Sequence, residues 1–575
     1  MISRTKVGTA LAVLSLAALT LTACTGANNG TGAAACTPPA SSEGESVPGT
    51  GWESADRDAV ADGGTLSLAV DNTPANWNLN NLDSGTVDDN TLAGVFLPSF
   101  ITLAEDGTWE ANPDFATTVE LVSEEPQVVQ VTINPAAVWS DGTPIGVQDF
   151  AATWGALNGV NPDFAPIATN VWSDIVSVEA GANDQDVIIT FGNANADWPS
   201  ILGAIWPRWL MDTPEHFNTL WASGPYAADG TTYVSGSAYV LGSFDPTGQV
   251  ATFVPNPQWW GDEPKLDQII FKAVARDGIA SAFANNELDV ANVYGNADSY
   301  ATVQGRSDAV VQRSQSTTYR HITLNGTSEV FSDVKIRQAF AQSLDRAVIA
   351  EARLKGVESP VTLLDNLIFL PGQAGYEDDA TDVIGCDIES ASALIEDAGY
   401  TINDEGYAEK DGTVLTVRFV IPSDNPNSAE VAQQVQAMAK VTGFQVDIDV
   451  VPSDDFFTSY ITTETRDFDA TYFAWQGTAF PISSTESIFY PADSGQNFPG
   501  VTDDSLGPDW DAANAELDPE ARLELAKEID KKLVGLVTTV PLFPETYVYG
   551  VKDGLVNYGP TQFQSIDWQD VGFTE

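Results

Sequence analysis

The chain has 575 residues, 43% of them hydrophobic and 10% aromatic, which is enough apolar material for two or three domains. Acidic residues number 81 against 24 basic ones, a formal charge of −57, which disfavours a nucleic-acid partner and direct adhesion to anionic lipid. The acids are scattered rather than gathered into one run. The charge therefore reads first as solubility or adaptation to salt, and only weakly as a preference for cationic ligands.

At the N-terminus, Arg4 and Lys6 precede an uncharged apolar stretch from Val7 to Leu21 that ends in Leu21-Thr22-Ala23-Cys24. A run of about fifteen residues is short for a bilayer span, which needs about 20, and the small residues ahead of Cys24 suit cleavage by a signal peptidase. Residues 1–23 are therefore expected to be a signal peptide. Leu-Thr-Ala-Cys also resembles the bacterial lipobox. That resemblance implies a diacylglyceryl group on Cys24 and an anchor on the outer face of the cytoplasmic membrane. Residues 24–57, rich in small, polar and acidic side chains, are expected to form a flexible tether. With Cys24 lipidated, Cys36 and Cys386 remain in an oxidising compartment. They can pair or stay free, because the sequence gives no distance between them.

Beyond Gly63-Gly64, Thr65 to Val70 alternates apolar and polar residues as a half-buried strand does, and Val128 to Ile133 and Val187 to Phe191 read as further strands. The second half changes period. Asp333 precedes Ile336, Ala339, Phe340, Leu344, Ala347 and Val348, a stripe that predicts one long amphipathic helix. Another helix is expected from Asp387, with Ala391, Leu394, Ile395 and Ala398 on one face and Gly399 at its C-terminal end. A βαβ unit follows: Leu415 to Ile421, a helix from Ser428 to about Thr442, and a strand at Phe444 to Val450. The fold class is α/β.

Catalytic motifs are missing: there is no Gly-x-Ser-x-Gly elbow, no His-Glu-x-x-His pair, no Walker phosphate loop and no EF-hand. Two histidines, His216 and His321, cannot build a multi-histidine metal centre. No catalytic residue, metal or cofactor is therefore assigned. A glycan hydrolase needs only two carboxylates and is the rival reading, with fifteen tryptophans available to stack on sugars. Trp259-Trp260, between Asn256-Pro257 and Gly261, reads as packing at a turn. His321 follows Tyr319 and Arg320 and leads into a short strand, Ile322 to Asn325, where a lone histidine is ordinarily structural.

Four segments in order resemble the extracellular solute-binding proteins of family 5, which serve peptide, dipeptide and nickel ABC importers. The first, Val138 to Phe150, contains Trp139-Ser-Asp-Gly-Thr-Pro144 and Asp149. The second contains Asn256-Pro-Gln-Trp-Trp-Gly261 and Leu266 to Phe271. The third runs from Phe331 to Ala339 with Asp345-Arg346, and the fourth from Asp387 to Tyr400. The resemblance implies a two-lobed clamshell, as in periplasmic binding proteins, with an extra domain inserted in the first lobe. It places the first lobe at 58–95, 222–312 and 547–575, the extra domain at 96–221 and the second lobe at 313–546. Phe468 to Pro481 is similar to the family's strand and ligand loop, which implies ligand contacts at Trp475, Gln476, Gly477 and Thr478. Tyr319, His321, Ser84, Gly85 and Thr86 are the further contacts expected at the cleft. Many peptide binders of the family carry an Asp near Thr478 that pairs with the peptide α-amino group. Its absence here puts recognition of a free N-terminus in doubt, with Asp83, Asp88 or Asp89 as acids able to substitute. The implied function is capture of a peptide-like solute by hinged closure and delivery to the importer's permease, by a monomer that is not an enzyme. A sugar or a metal chelate is the alternative cargo.

Overall fold

The computed structural model describes Cys36 and residues 47–574. The expected signal peptide, Cys24 and most of the tether lie outside the described residues. Among the described residues, no helix is long and apolar enough to cross a membrane.

Strand Thr65–Val70 buries Leu66, Leu68 and Val70, as its alternation predicts. It pairs in parallel with Gln268–Ala273, and the sheet continues antiparallel through Val250–Pro255 to Tyr239–Asp245. A second four-stranded sheet, wholly antiparallel, runs in the order Ala116–Glu124, Gln127–Ile133, Asp186–Phe191, Ile175–Ala180. The two sheets share one apolar core that includes Leu68, Phe100, Phe150 and Phe271. Trp259 and Trp260 pack against it beside Phe115, at ring separations of 5.7 and 5.4 Å, so the tryptophan pair is structural. Ahead of helix Val147–Leu157, Asp141 accepts from the Thr143 amide at 2.8 Å, and Asp149 accepts from the Gly146 amide at 3.0 Å to fix the helix start.

A six-stranded sheet runs in the order Val290–Asn292, Thr539–Lys552, Ala309–Leu324, Ala470–Gln476, Thr416–Pro422, Gln445–Val451. Thr416–Pro422, helix Pro426–Thr442 and Gln445–Val451 form the expected βαβ unit with parallel strands. The single long helix expected after Asp333 is two helices, Val334–Gln342 and Arg346–Arg353. The Ser343 hydroxyl donates back to the Ala339 carbonyl at 2.6 Å, and Asp345 caps the second helix by accepting from the Val348 amide at 3.2 Å. The apolar stripe runs on across the break, since Leu344 is buried, and spacing alone cannot show the interruption. Helix Ile388–Asp397 starts at Asp387, which accepts from the Ser390 amide at 2.9 Å, and ends at Gly399 with φ +89°.

Residues 47–57 do not continue a free tether. The Gln315 amide donates to the Pro48 carbonyl at 2.8 Å and the Gly51 amide to Pro560 at 2.9 Å. Gly51 lies so close to Arg313 that a Cβ there would sit 2.1 Å from its carbonyl oxygen. Cys36 and Cys386 are joined by a disulfide, with Cα atoms 5.8 Å apart.

Two long strands, Ala309–Leu324 and Thr539–Lys552, pair antiparallel from Ala309↔Lys552 to Thr323↔Thr539. One end meets Val290–Asn292 beside the first sheet, where the Asp289 amide donates to Ser67; the other end meets Ala470–Gln476. The register shifts between Gln315 and Tyr319, and the Gln315 amide takes up Pro48 at that irregularity. Two continuous strands shared by both lobes, with their pairing shifted mid-length, are suited to act as a hinge.

Candidate ligand site

A cavity of about 560 Å³ lies against the crossover strands, within the size range of small-ligand sites. The end of Thr65–Val70 with its following turn, the N-terminus of helix Val87–Phe96, and Arg276 and Tyr294 form its first-lobe wall; Thr318, Arg320, Glu545 and Tyr547 form the hinge wall. Strand alternation decides which hinge residues face it. Ser316, Thr318 and Arg320 line the cavity, whereas Tyr319 packs with Leu364, Leu370 and Phe563 on the opposite side.

The charges are arranged in layers. Arg276 donates through Nε and Nη2 to Asp71 Oδ2, at 2.8 and 2.5 Å. Arg320 Nε donates to Glu545 Oε1 at 2.6 Å, and Arg353, at the end of second-lobe helix Arg346–Arg353, reaches Glu545 Oε2 at 3.4 Å. Burial would raise the Glu545 pKa, but the two guanidiniums outweigh it and hold the carboxyl below its ordinary value. Arg353 also donates to the Gly295 and Tyr294 carbonyls, so it ties the second lobe to the first-lobe wall. Asp83, Asp88 and Asp89 line the cavity and, among the described residues, none of the three forms an ion pair. Asp89 is committed to the capping box, accepting from the Thr86 amide at 2.9 Å. Burial raises the Asp88 pKa although its carboxylate accepts from the Asp71 amide at 2.6 Å. Asp71 Oδ1 is buried without a partner. Four tyrosines, Tyr294, Tyr547, Tyr549 and Tyr558, complete a wall that offers both apolar faces and hydroxyls.

Of the residues expected from sequence, Thr86 lines this cavity. Ser84 is buried and donates to the Asn76 carbonyl, and Gly85 lies against Ile167. His321 has no exposed surface and sits between the rings of Phe473 and Trp475, at 4.4 and 6.2 Å. Burial pushes its pKa down to about 3, so it is a neutral core imidazole at physiological pH. Trp475 stacks on Phe498 at 5.7 Å. Gln476 donates to the Thr317 hydroxyl at 3.2 Å, and the Gly477 amide to the Thr317 carbonyl at 2.8 Å. Thr478 bonds Ser484 at 3.0 Å and accepts from the Phe480 amide. None of Trp475, Gln476, Gly477 and Thr478 lines the 560 Å³ cavity. Sequence reading missed Asp71, Arg276, Arg320, Glu545 and the tyrosines. The available signal was Glu545 as a lone charge in the largely apolar run Val540 to Val551; Arg320 stands among polar residues and gave none.

Two α/β lobes sharing a pair of continuous strands, with a polar cavity at that hinge, define a solute-binding protein of the two-lobed type. The sequence profile of the bacterial extracellular solute-binding proteins, family 5, middle region, matches residues 110–498. The oligopeptide-binding protein OppA of Mycobacterium tuberculosis strain H37Rv is 30% identical over 519 residues, covering 89% of this chain and 85% of that protein. OppA of Lactococcus lactis subsp. lactis is 22% identical over 448 residues, 69% of this chain and 71% of that one. Among solved structures, a periplasmic EDTA-binding protein, EppA, superposes with a TM-score of 0.82 at 24% identity over 92% of this chain and all but 1% of its own. AppA of Bacillus subtilis, solved with a nonapeptide, gives 0.71 at 17% identity over 90% of this chain and 100% of its own. The chain belongs to the bacterial extracellular solute-binding proteins of family 5.

Proposed function

We propose that this protein captures a peptide outside the cell and presents it to the permease of an ABC importer, closing its two lobes on the ligand and releasing it chemically unchanged. The observation that carries this reading is the hinge cavity, whose walls come from the first lobe and from both crossover strands. A ligand seated there is touched by the elements whose relative orientation changes on closure, so binding and closure are linked. The oligopeptide-binding relatives support the peptide class. The mixed charges and tyrosines suit a peptide better than a uniformly anionic chelate. The unpaired Asp83 and Asp88 favour a cationic group in the ligand. Trp475, Gln476, Gly477 and Thr478 remain proposed contacts in the ligand-loaded state; Tyr319 and His321 pack beside Trp475, while Ser84 and Gly85 support the turn ahead of Thr86.

The domain division at 58–95, 222–312 and 547–575 for the first lobe, 96–221 for the extra domain and 313–546 for the second lobe is part of this proposal. So are a monomeric state, a cleaved signal peptide and a lipid anchor at Cys24. Cys24→Ser should release the protein into the medium or leave uncleaved precursor, and an unchanged membrane-bound mature form contradicts the anchor. Calorimetry against peptide and glycan libraries tests the function itself. One-to-one binding with the ligand recovered intact is expected, and turnover of any component overturns it.

A further inference from the structure

Helix Pro519–Leu536 sets Asp530, which has no exposed surface, against the segment 365–380. Asp530 Oδ1 accepts from the Leu367 amide at 2.7 Å and the Ile368 amide at 3.2 Å, at the start of that segment. At its end stands Asp379, whose carboxyl hydrogen-bonds that of Asp530. Asp379 Oδ2 and Asp530 Oδ2 are both buried, and neither receives an N–H or hydroxyl donor among the described residues. Two carboxylates repel, so their contact closes only with a proton between them. The neighbouring cations are engaged elsewhere: Lys527 with Glu377 at 2.6 Å, Lys531 with Glu528 at 2.8 Å and Arg346 with Asp365 at 2.7 Å. Asp378 accepts from the Thr381 amide at 2.9 Å, and the Tyr376 hydroxyl donates to the Leu363 carbonyl at 3.3 Å, so neither reaches the pair. Midway along, Leu370 packs on Gly477, where a Cβ would sit 2.7 Å from Leu370 Cδ1, and Gln373 Nε2 donates to the Thr478 carbonyl at 2.9 Å. The Gly477 amide in turn donates at 2.8 Å to Thr317, within the shifted stretch of the crossover strand.

We infer that Asp530 and Asp379 form a proton-operated clasp that closes the loop 367–379 and, through Leu370 and Gln373, sets how firmly residues 477–478 are held against the hinge. One carboxyl gathers both ends of the loop: Oδ1 takes the two amides at its start, and the shared proton takes Asp379 at its end. When the proton leaves to water, a second negative charge remains in a buried space with no cation to receive it, and the Asp379 end is repelled. The loop then opens from that end, and Leu370 and Gln373 lose their fixed place under Gly477 and Thr478. Burial, then the Asp379 carboxyl, raise the Asp530 pKa well above its ordinary value. The closed clasp therefore keeps a proton that the open one, with a carboxyl pKa of about 4, gives up. It is firmest in acid and opens increasingly as pH rises from there towards the raised value. A protein outside the cell meets the pH of its surroundings directly, so its ligand loop is held most rigidly in acid surroundings. The effect on cargo rests on the proposed contacts at Trp475 to Thr478; the clasp itself does not.

Hydrogen exchange on the purified protein between pH 5 and 8, expressed as protection factors to remove the intrinsic pH dependence, tests the clasp. The reporters are the amides of Phe369, Leu370 and Gly477, bonded to Asn366 Oδ1 at 2.7 Å, Gln373 Oε1 at 2.9 Å and the Thr317 carbonyl at 2.8 Å. Strand Thr416–Pro422, in the core beside them, is the reference. Protection of the three reporters is expected to fall by about tenfold or more across this range, at no more than about tenfold per pH unit, while staying below that of the strand. Asp530→Asn and Asp379→Asn each place an amide N–H where the shared proton stood, and should hold reporter protection constant with pH. If one of them does not fold, the other decides. The inference is overturned if native protection is flat with pH, or if the fall survives in a folded variant. It is equally overturned if the reporters match the strand at every pH, because the loop then opens only with the whole lobe. Retention of the co-purifying cargo at pH 5 and pH 8, counted by mass spectrometry, tests the consequence. Equal retention above a pH-dependent loop would sink the ligand contacts at Trp475 to Thr478 and leave the clasp standing.

Discussion

Thr478 makes its hydrogen bonds within its own loop, with Ser484 and Phe480, and its carbonyl accepts from Gln373 at 2.9 Å. A threonine hydroxyl cannot neutralise an ammonium buried by closure, whereas a carboxylate forms a charge-assisted bond. N-acetylation of a bound peptide is therefore expected to change its affinity by less than about tenfold, a difference of 1.4 kcal/mol. Calorimetry on matched free and acetylated peptides measures this. If acetylation abolishes binding and Asp88→Asn reproduces the loss while Thr478→Asp changes nothing, the first lobe holds the amino terminus. Glu545 gives a second expectation. It is shared by Arg320 and Arg353 at the hinge, and removing one charge from a buried cluster leaves the others uncompensated. Glu545→Gln should lower stability by about 3 kcal/mol in urea unfolding, and an unchanged midpoint would show that water, not Glu545, balances the guanidiniums.

Asp530 illustrates what one helix contributes. On helix Pro519–Leu536 it has no exposed surface and accepts from the Leu367 amide at 2.7 Å and the Ile368 amide at 3.2 Å. Burial, then the neighbouring Asp379 carboxyl, raise its pKa well above the ordinary value. The folded protein therefore keeps a proton that the unfolded chain sheds. This group's contribution is undiminished below the unfolded carboxylate pKa of about 4, and stability falls as pH rises from there towards the raised folded pKa. Asp530→Asn copies the protonated form, and should flatten that fall and equal or exceed the native stability at pH 8. A variant less stable at pH 8, with the pH slope retained, contradicts the assignment. At the start of helix Ile388–Asp397, the Cys36–Cys386 bridge spans 350 residues of sequence. Neither thiol should label with alkylating agent until reduction, and reduction should cost about 2–4 kcal/mol; immediate labelling of both excludes the bridge. The helices and the βαβ unit were legible from apolar spacing and caps such as Asp387 and Gly399. The break at Ser343 was not, because a side chain turning back on its own helix leaves the apolar period intact.

Across the whole molecule, the expected changes of lobe at 312/313 and 546/547 both fall inside the crossover strands Ala309–Leu324 and Thr539–Lys552. Motif order could therefore suggest a hinge, while the strand Thr539–Lys552, with prolines at 541 and 544, carried no readable alternation. The site was less legible than the fold. Arg320 and Glu545 stand 225 residues apart, and only antiparallel pairing of the two strands brings them to one wall. Thr86 was expected only as part of the cleft edge; its place at the cavity follows from the capping box that starts helix Val87–Phe96. Trp475 and His321 were expected at the ligand because the resemblance places their strand at the cleft, but strand alternation turns His321 into the core. Cargo is expected to sit in the hinge cavity. A density map of the protein purified with its endogenous cargo tests it most directly. Continuous peptide-like density is expected in the 560 Å³ cavity, in contact with Arg276, Asp88 or Tyr547. Cargo bound elsewhere, with only water in that cavity, would contradict it.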